Sequence, residues 1–135
     1  MKLLMLDTNI CVELLRGRAA RVFDRLRRIR PDGVAISCIT LGELQYGVAR
    51  SSNPDKHTAL LAAFLAPLAI LPFDHQAAET YGRVRAELAR LGKPIGPLDT
   101  LIAAHALALE ATLITNNERE FRRVDGLNVE NWLEG

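Results

Sequence analysis

Apolar residues in this chain come in short unbroken runs, and longer stretches with helical spacing separate them. The first run, Lys2-Leu3-Leu4-Met5-Leu6, ends directly on Asp7-Thr8-Asn9. A run without alternation suits a strand covered on both faces, and such strands belong to parallel sheets lying between helices. Val34 to Ser37, Leu68 to Phe73 and Thr112 to Thr115 predict further strands, and Leu127 to Trp132 a last one at an edge. Between them, Asn9 to Arg16 predicts a helix stopped by Gly17, and Ala19 to Arg30 a second with Val22, Phe23, Leu26 and Ile29 on one face. Pro31-Asp32-Gly33 predicts a turn. Thr40 to Arg50 carries Leu41, Leu44 and Val48 at helical spacing, and Pro54 opens a segment running through Thr58 to Leu65. Asp74 caps a long helix to Leu91. Leu98 to Glu110 is an alanine-rich helix, and Asn117 to Arg123 one or two turns more. Strands alternating with helices predict an α/β fold, a three-layer α/β/α sandwich on a mostly parallel sheet, with residues 1–135 as one domain.

Composition narrows the class. Nearly half the residues are apolar, yet no run approaches the ~20 that a membrane span needs, and one basic residue precedes the first short run. The expectation is a soluble, cytoplasmic protein without a leader or a membrane contact. Cys11 and Cys38 lack metal-ligand spacing and read as reduced thiols used as small hydrophobes. The formal net charge is only +1, but Arg16, Arg18, Arg21, Arg25, Arg27, Arg28 and Arg30 face only Asp24 in their segment. Arginines number 14 against 3 lysines, and the planar guanidinium is the better phosphate binder. Nucleic acid is the partner this surface suggests; a solvated helix face is the alternative.

The candidate chemistry is acidic. Asp7, Glu43, Asp99 and the Asn117 to Glu120 turn are each expected where a strand hands over to a helix. Each has an ordinary structural alternative. Asp7, Thr8 or Asn9 can cap a helix, Thr40-x-x-Glu43 and Asn117-x-x-Glu120 fit capping boxes, and Asp99 complements a helix dipole. In a parallel sheet, however, all these handovers share one rim, the rim where ligands bind. Two unit charges about 5 Å apart at an effective dielectric near 20 repel by roughly 3 kcal/mol, so converging carboxylates call for a cation. An all-oxygen site with room for water suits Mg²⁺ or Mn²⁺. His57, His75 and His105 form no catalytic set with a nucleophile. Few aromatics leave no stacking platform for unpaired bases, so shape and backbone contacts would decide any nucleic-acid target.

These residues carry a family resemblance. LDTN at Asp7, TLGELQYG around Glu43, PIGPLDTLIAAHA around Asp99 and TLITNNEREF from Thr112 to Phe121 resemble bacterial PIN-domain proteins, above all the VapC toxins of type II toxin–antitoxin systems. The resemblance runs from Met1 to Val129-Glu130-Asn131-Trp132, with four motifs in order. It implies a Mg²⁺-dependent endoribonuclease that acts on RNA, with transfer RNA the natural guess, is inhibited by a cognate VapB-like antitoxin and assembles as a homodimer.

Carried over by position, Asp7, Glu43 and Asp99 match the family's recurrent acids, with Asp7 and Asp99 as metal ligands and Glu43 orienting or deprotonating water or binding a second ion. Where many PIN domains carry a fourth aspartate this chain has Asn117, and Glu120 is expected to supply that charge. Thr8, Asn9, Thr115 and Asn117 are candidates to position carboxylates by hydrogen bonds. Arg119, Arg16 and Arg21 are candidates to hold the RNA backbone. Leu41, Leu44, Leu61 and Phe64 are candidates to line an antitoxin groove. A phosphoacceptor or phosphatase-like domain would need a second acid beside Asp7 or a lysine in the pocket, and neither is evident. A non-enzymatic protein whose acidic rim receives a basic peptide is the rival class.

Overall fold

The computed structural model describes residues 2–29 and 33–133. Arg30, Pro31 and Asp32, and with them the predicted turn, lie outside the described residues, as does Met1. Five strands form one parallel sheet: β1 (Leu4–Leu6), β2 (Val34–Ser37), β3 (Ala69–Leu71), β4 (Thr112–Ile114) and β5 (Asn128–Glu130). Their order is β3-β2-β1-β4-β5, so the chain winds outward from β1 in one direction, then crosses back to add β4 and the edge strand β5. That reversal leaves a crevice beyond the ends of β1 and β4, the place where open parallel sheets bind ligands.

The helices are α1 (Thr8–Leu15), α2 (Ala20–Arg27), α3 (Cys38–Ala49), α4 (Pro54–Leu65), α5 (His75–Arg90), α6 (Pro97–Ala108) and α7 (Glu118–Phe121). Strand side chains alternate between two cores, as a pleated backbone requires. Leu4 and Leu6 pack with Ile10, Val22, Ile36 and Leu61 on one face of the sheet. Met5 and Leu113 pack with Val84, Leu88, Ile102 and Phe121 on the other. Both faces of the sheet are thus covered, which accounts for the unbroken apolar runs. Among the described residues no helix is long and apolar enough to cross a membrane.

Several expectations are corrected. The third helix starts at Cys38, not Thr40, because the Ser37 hydroxyl oxygen caps it by accepting from Ile39 N at 3.0 Å. Thr40 therefore lies inside the helix, and no capping box forms with Glu43. Neither does one form at Asn117, whose side chain makes no cap bond to α7. Asp99 does not follow a strand. It sits in the first turn of α6, which the chain reaches from α5 through the loop containing Gly92, whose φ of +67° suits glycine. Phe23, expected inward, is 55% exposed.

Two buried polar groups carry packing information. The Ser37 hydroxyl lies 2.8 Å from His105 Nδ1, and the His105 ring also bonds the Pro72 carbonyl. Burial holds the imidazole below its usual pKa, so it is neutral, accepts from Ser37 and ties α6 to the start of α3. Thr112 Oγ1 is buried in β4 without a hydrogen-bond partner. An unpaired buried hydroxyl costs ~1 kcal/mol or more, so Thr112→Val should stabilise the protein by about that much in denaturant unfolding. A loss instead would mean that the hydroxyl is bonded in solution.

Candidate active site

Asp7 ends β1 as the N-cap of α1 and is only 2% exposed. One carboxylate oxygen accepts from Ile10 N at 2.8 Å, and the other accepts a short bond from the Thr115 hydroxyl at the end of β4. Asp7 is thus both a cap and a buried acid, held across the crevice between neighbouring strands. Burial raises its pKa to about 6, against the lowering effect of those two bonds, and the Glu43 charge adds to the rise. Burial and Asp7 together push the adjacent Cys11 thiol well up, which leaves it inert. Both cysteines are free, as expected, with Cys38 Sγ accepting from Phe73 N.

Glu43 comes from α3 and is held by a residue of α1. The Thr8 hydroxyl lies 2.6 Å from Glu43 Oε1 and 3.1 Å from the buried Thr40 hydroxyl. A carboxylate only accepts, so the single Thr8 proton goes to Glu43. This three-residue contact explains why the sequence pattern misled: the Thr40 hydroxyl serves a partner 32 residues away rather than its own helix end.

Asp99 and Glu120 share a hydrogen bond. Glu120 Oε1 also accepts from Gly96 N, and its Oε2 from Asn117 Nδ2, both at 2.7 Å. Burial acts to raise the Glu120 pKa, but the bonds from Gly96, Asn117 and Asp99 outweigh it and hold the carboxyl below its usual value. Asp99 moves the other way. Burial, then the Glu120 charge and the shared bond, then the charges of Asp7 and Glu43, lift it to about 7. The proton between the pair therefore resides on Asp99. A Cβ at Gly96 would lie 3.4 Å from Asp99 Oδ2 and 3.5 Å from Glu120 Oε1, so the bare glycine leaves room for both carboxyl groups.

The crevice thus brings Asp7, Glu43, Asp99 and Glu120 within electrostatic reach, together with Thr8, Thr115 and Asn117. Asn9 is exposed, and among the described residues its side chain bonds none of these groups. Arg21 and Arg119 are exposed and make no described bond to the acids, whereas Arg16 lines a cleft that includes Glu43. Among the described residues no Lys or Arg forms an ion pair with Asp7, Glu43 or Asp99.

Comparison with known proteins decides the family. The PIN domain profile matches residues 4–127. The chain belongs to the PIN-domain family. It is 42% identical to a tRNA(fMet)-specific endonuclease VapC of Shigella flexneri, over 95% of this chain and 96% of the relative. It is 43% identical to ribonuclease VapC2 of Rickettsia felis over the same shares. The fold superposes on DNA-bound VapBC from Salmonella typhimurium with a TM-score of 0.93 at 40% identity, covering 98% of this chain and 99% of the other. This member of the PIN family is therefore a nuclease of the VapC group, and PIN nucleases depend in general on divalent metal.

Among the described residues no three acidic, histidine or cysteine side chains surround one point at ligand spacing as they stand. Hydroxyls, amides and one shared proton hold the carboxylates instead. The donor set still fits a hard cation: it is all oxygen, mutually repulsive and without a cationic partner. Both raised carboxyls favour the protonated folded state, so their stabilisation is present below the unfolded value near 3.8 and is lost as pH rises through about 6 and 7. In chelator, thermal melts should therefore give a higher Tm near pH 5.5 than near pH 8 by a few degrees. Saturating Mg²⁺ should remove or reverse that difference. A Tm in chelator that climbs with pH over this range would contradict the assigned shifts.

Proposed function

We propose that this chain is the toxin of a type II toxin–antitoxin pair, an endoribonuclease that hydrolyses RNA phosphodiester bonds with Mg²⁺, or Mn²⁺ in its place. The observation that carries the reading is the set of four acids at the β1/β4 crevice, three of them without a cationic partner among the described residues. Asp7 and Asp99 would hold the ion. When bound, it supplies a water of lowered pKa and neutralises charge on the phosphoryl oxygens. Thr115 fixes the Asp7 carboxylate by its hydroxyl and is itself fixed by Asn117 N at 2.9 Å, so the end of β4 pre-orients the acid at the end of β1. Glu43, aimed by Thr8, accepts the proton of the attacking water. Asp99 must release its shared proton before it can hold the ion, so a cation has to compete with that proton below a pH of about 7.

Glu120 is the fourth acid in this proposal. Asn117 donates to it rather than replacing it. Glu120→Gln should raise the Mg²⁺ concentration for half-maximal activity by roughly tenfold, since a hard cation gains more from a carboxylate than from an amide. Asn117→Ala, which only frees Glu120, should cost less. An unchanged metal titration for Glu120→Gln beside an inactive, folded Asn117→Ala would reverse the roles.

The relatives' names support transfer RNA as substrate and a VapB-like antitoxin as partner. An apolar groove of about 380 Å³ lined by Leu14, Phe23, Leu26, Ile29 and Phe64 suits an antitoxin segment. Of the four groove residues expected from sequence Phe64 lines it, whereas Leu44 and Leu61, at 5% and 3% exposure, line a separate cleft that includes Glu43. The test is cleavage of transfer RNA by purified protein, lost in chelator, restored by Mg²⁺ and blocked by the small protein encoded beside it. RNA cleavage indifferent to chelator would refute the metal-dependent reading.

A further inference from the structure

A second cleft, of about 650 Å³, opens from Glu43 along the outer side of α3 towards α1 and α4. Its walls are apolar at Val12, Leu15, Leu44, Val48, Leu60 and Leu61; the polar lining is Arg16, Tyr46, Arg50, Ser51 and His57, and Glu43 is the one acid among its described lining residues. Tyr46 is 65% exposed, which is unusual for a large aromatic on a helix that the fold buries on its other side. The Arg50 guanidinium carbon lies 5.6 Å from the centre of its ring. Glu43, Tyr46 and Arg50 are spaced by three and four residues, so they form one stripe of about 10 Å on α3. Gly47 lies beside the stripe, where a Cβ would meet nothing within 4 Å. Arg16 and Arg50 stand at the C-caps of α1 and α3 and bring positive charge to the two sides of the cleft.

We propose that this cleft binds an unpaired stretch of the RNA beside the cleaved bond, with a base stacked on Tyr46 and flanking phosphates on Arg16 and Arg50. The inference rests on the nuclease reading of the Glu43 site and names how that site holds its substrate. An aromatic face, a stacked guanidinium and a second arginine in one groove are the elements of single-strand recognition. Their order matters. The acid at one end is a group of the cleavage site, so a strand lying on the stripe leads into it. A basic peptide segment bound for the acids would have to pass both arginines, whereas the apolar groove at Phe23 and Phe64 has only Arg27 in its lining. Few aromatics predict no stacking platform, whereas Tyr46 places a single exposed ring in the cleft that includes Glu43.

The experiment uses Asp99→Asn protein, expected to bind without cutting, and fluorescein-labelled tRNA(fMet) read by anisotropy. Tyr46→Ala should weaken binding by about tenfold or more and Tyr46→Phe by less than about twofold, because base stacking needs the ring rather than the hydroxyl. Arg16→Ala and Arg50→Ala should each lower the slope of log Kd against log salt by about one. In the cleaving protein, Tyr46→Ala should raise KM with kcat little changed. A perfect RNA duplex of equal length should bind equally to both Tyr46 variants. Binding of tRNA(fMet) by Tyr46→Ala equal to that of the parent, with unchanged salt slopes for both arginine variants, would overturn the subsite while leaving the nuclease reading intact. So would a Tyr46→Ala protein that keeps RNA but loses its small protein partner. A parent that binds no RNA, beside wild-type protein that cuts none, would instead overturn the nuclease reading and the subsite with it.

Discussion

Asp99→Asn is expected to reduce RNA cleavage by a factor of about a thousand or more, while the protein melts at the same temperature as the parent or higher in chelator near pH 8. In the parent, Asp99 already behaves at neutral pH as a proton donor to Glu120, held near a pKa of 7 by burial, by Glu120 and by the charges of Asp7 and Glu43. An asparagine amide donates to Glu120 in the same place. It therefore reproduces the protonated carboxyl and removes a charge that the fold tolerates poorly, but it cannot become the anionic ligand that a divalent ion requires. Asp7→Asn should lose activity to a similar extent with less gain in stability. Its amide would face the Thr115 hydroxyl, which now donates to Asp7 and would be left with an unplaced proton. Activity assays and melts on the same preparations check both. A folded Asp99→Asn protein with parental turnover would remove Asp99 from the metal site.

Glu43→Gln is the second large effect. Because Glu43 lies within α3 and not in its first turn, the substitution touches no helix cap. Glutamine can still accept the Thr8 hydroxyl, so stability should stay within about 0.5 kcal/mol of the parent, the range of changes that spare packing and buried bonds. Turnover should fall by roughly a hundredfold to ten-thousandfold, the usual worth of a positioned general base. Thr8→Val separates aim from charge: the carboxylate stays but loses the hydroxyl that orients it, and a loss nearer tenfold is expected. Unchanged turnover in Glu43→Gln would assign the residue to the architecture of α3.

How far the sequence alone could go is visible in single residues. The apolar run into Asp7 marks a central strand and the acid at its end, because four unbroken apolar residues suit a strand buried on both faces and are too few for a buried helix. Asp74 was legible as a cap because its partner is local, Ala77 N three residues on. Asp99 is a candidate from sequence for an incorrect structural reason, since Pro97 and Asp99 mark a helix start whether a strand or another helix precedes it. Ser37 was missed as a cap because it also ends β2, and strand and cap patterns overlap at one position. Thr40 meets Thr8 of a different helix rather than its own helix end, while Asn117 does bond Glu120 three residues on, side chain to side chain and not as a cap. No periodicity encodes a hydroxyl whose partner is brought to it by a neighbouring strand. Tyr46 has no sequence signal, because one exposed aromatic in a helix stands out only beside its cleft.

The central claim is that Asp7 and Asp99 hold a divalent ion in the β1/β4 crevice, and the most direct test is anomalous X-ray scattering from crystals of the wild-type protein grown with Mn²⁺. The expected result is a manganese peak bonded to both carboxylates, with Thr115 still donating to Asp7 and the Asp99–Glu120 hydrogen bond broken. A peak bonded to neither carboxylate, or no peak at a Mn²⁺ concentration that supports full cleavage, would contradict it.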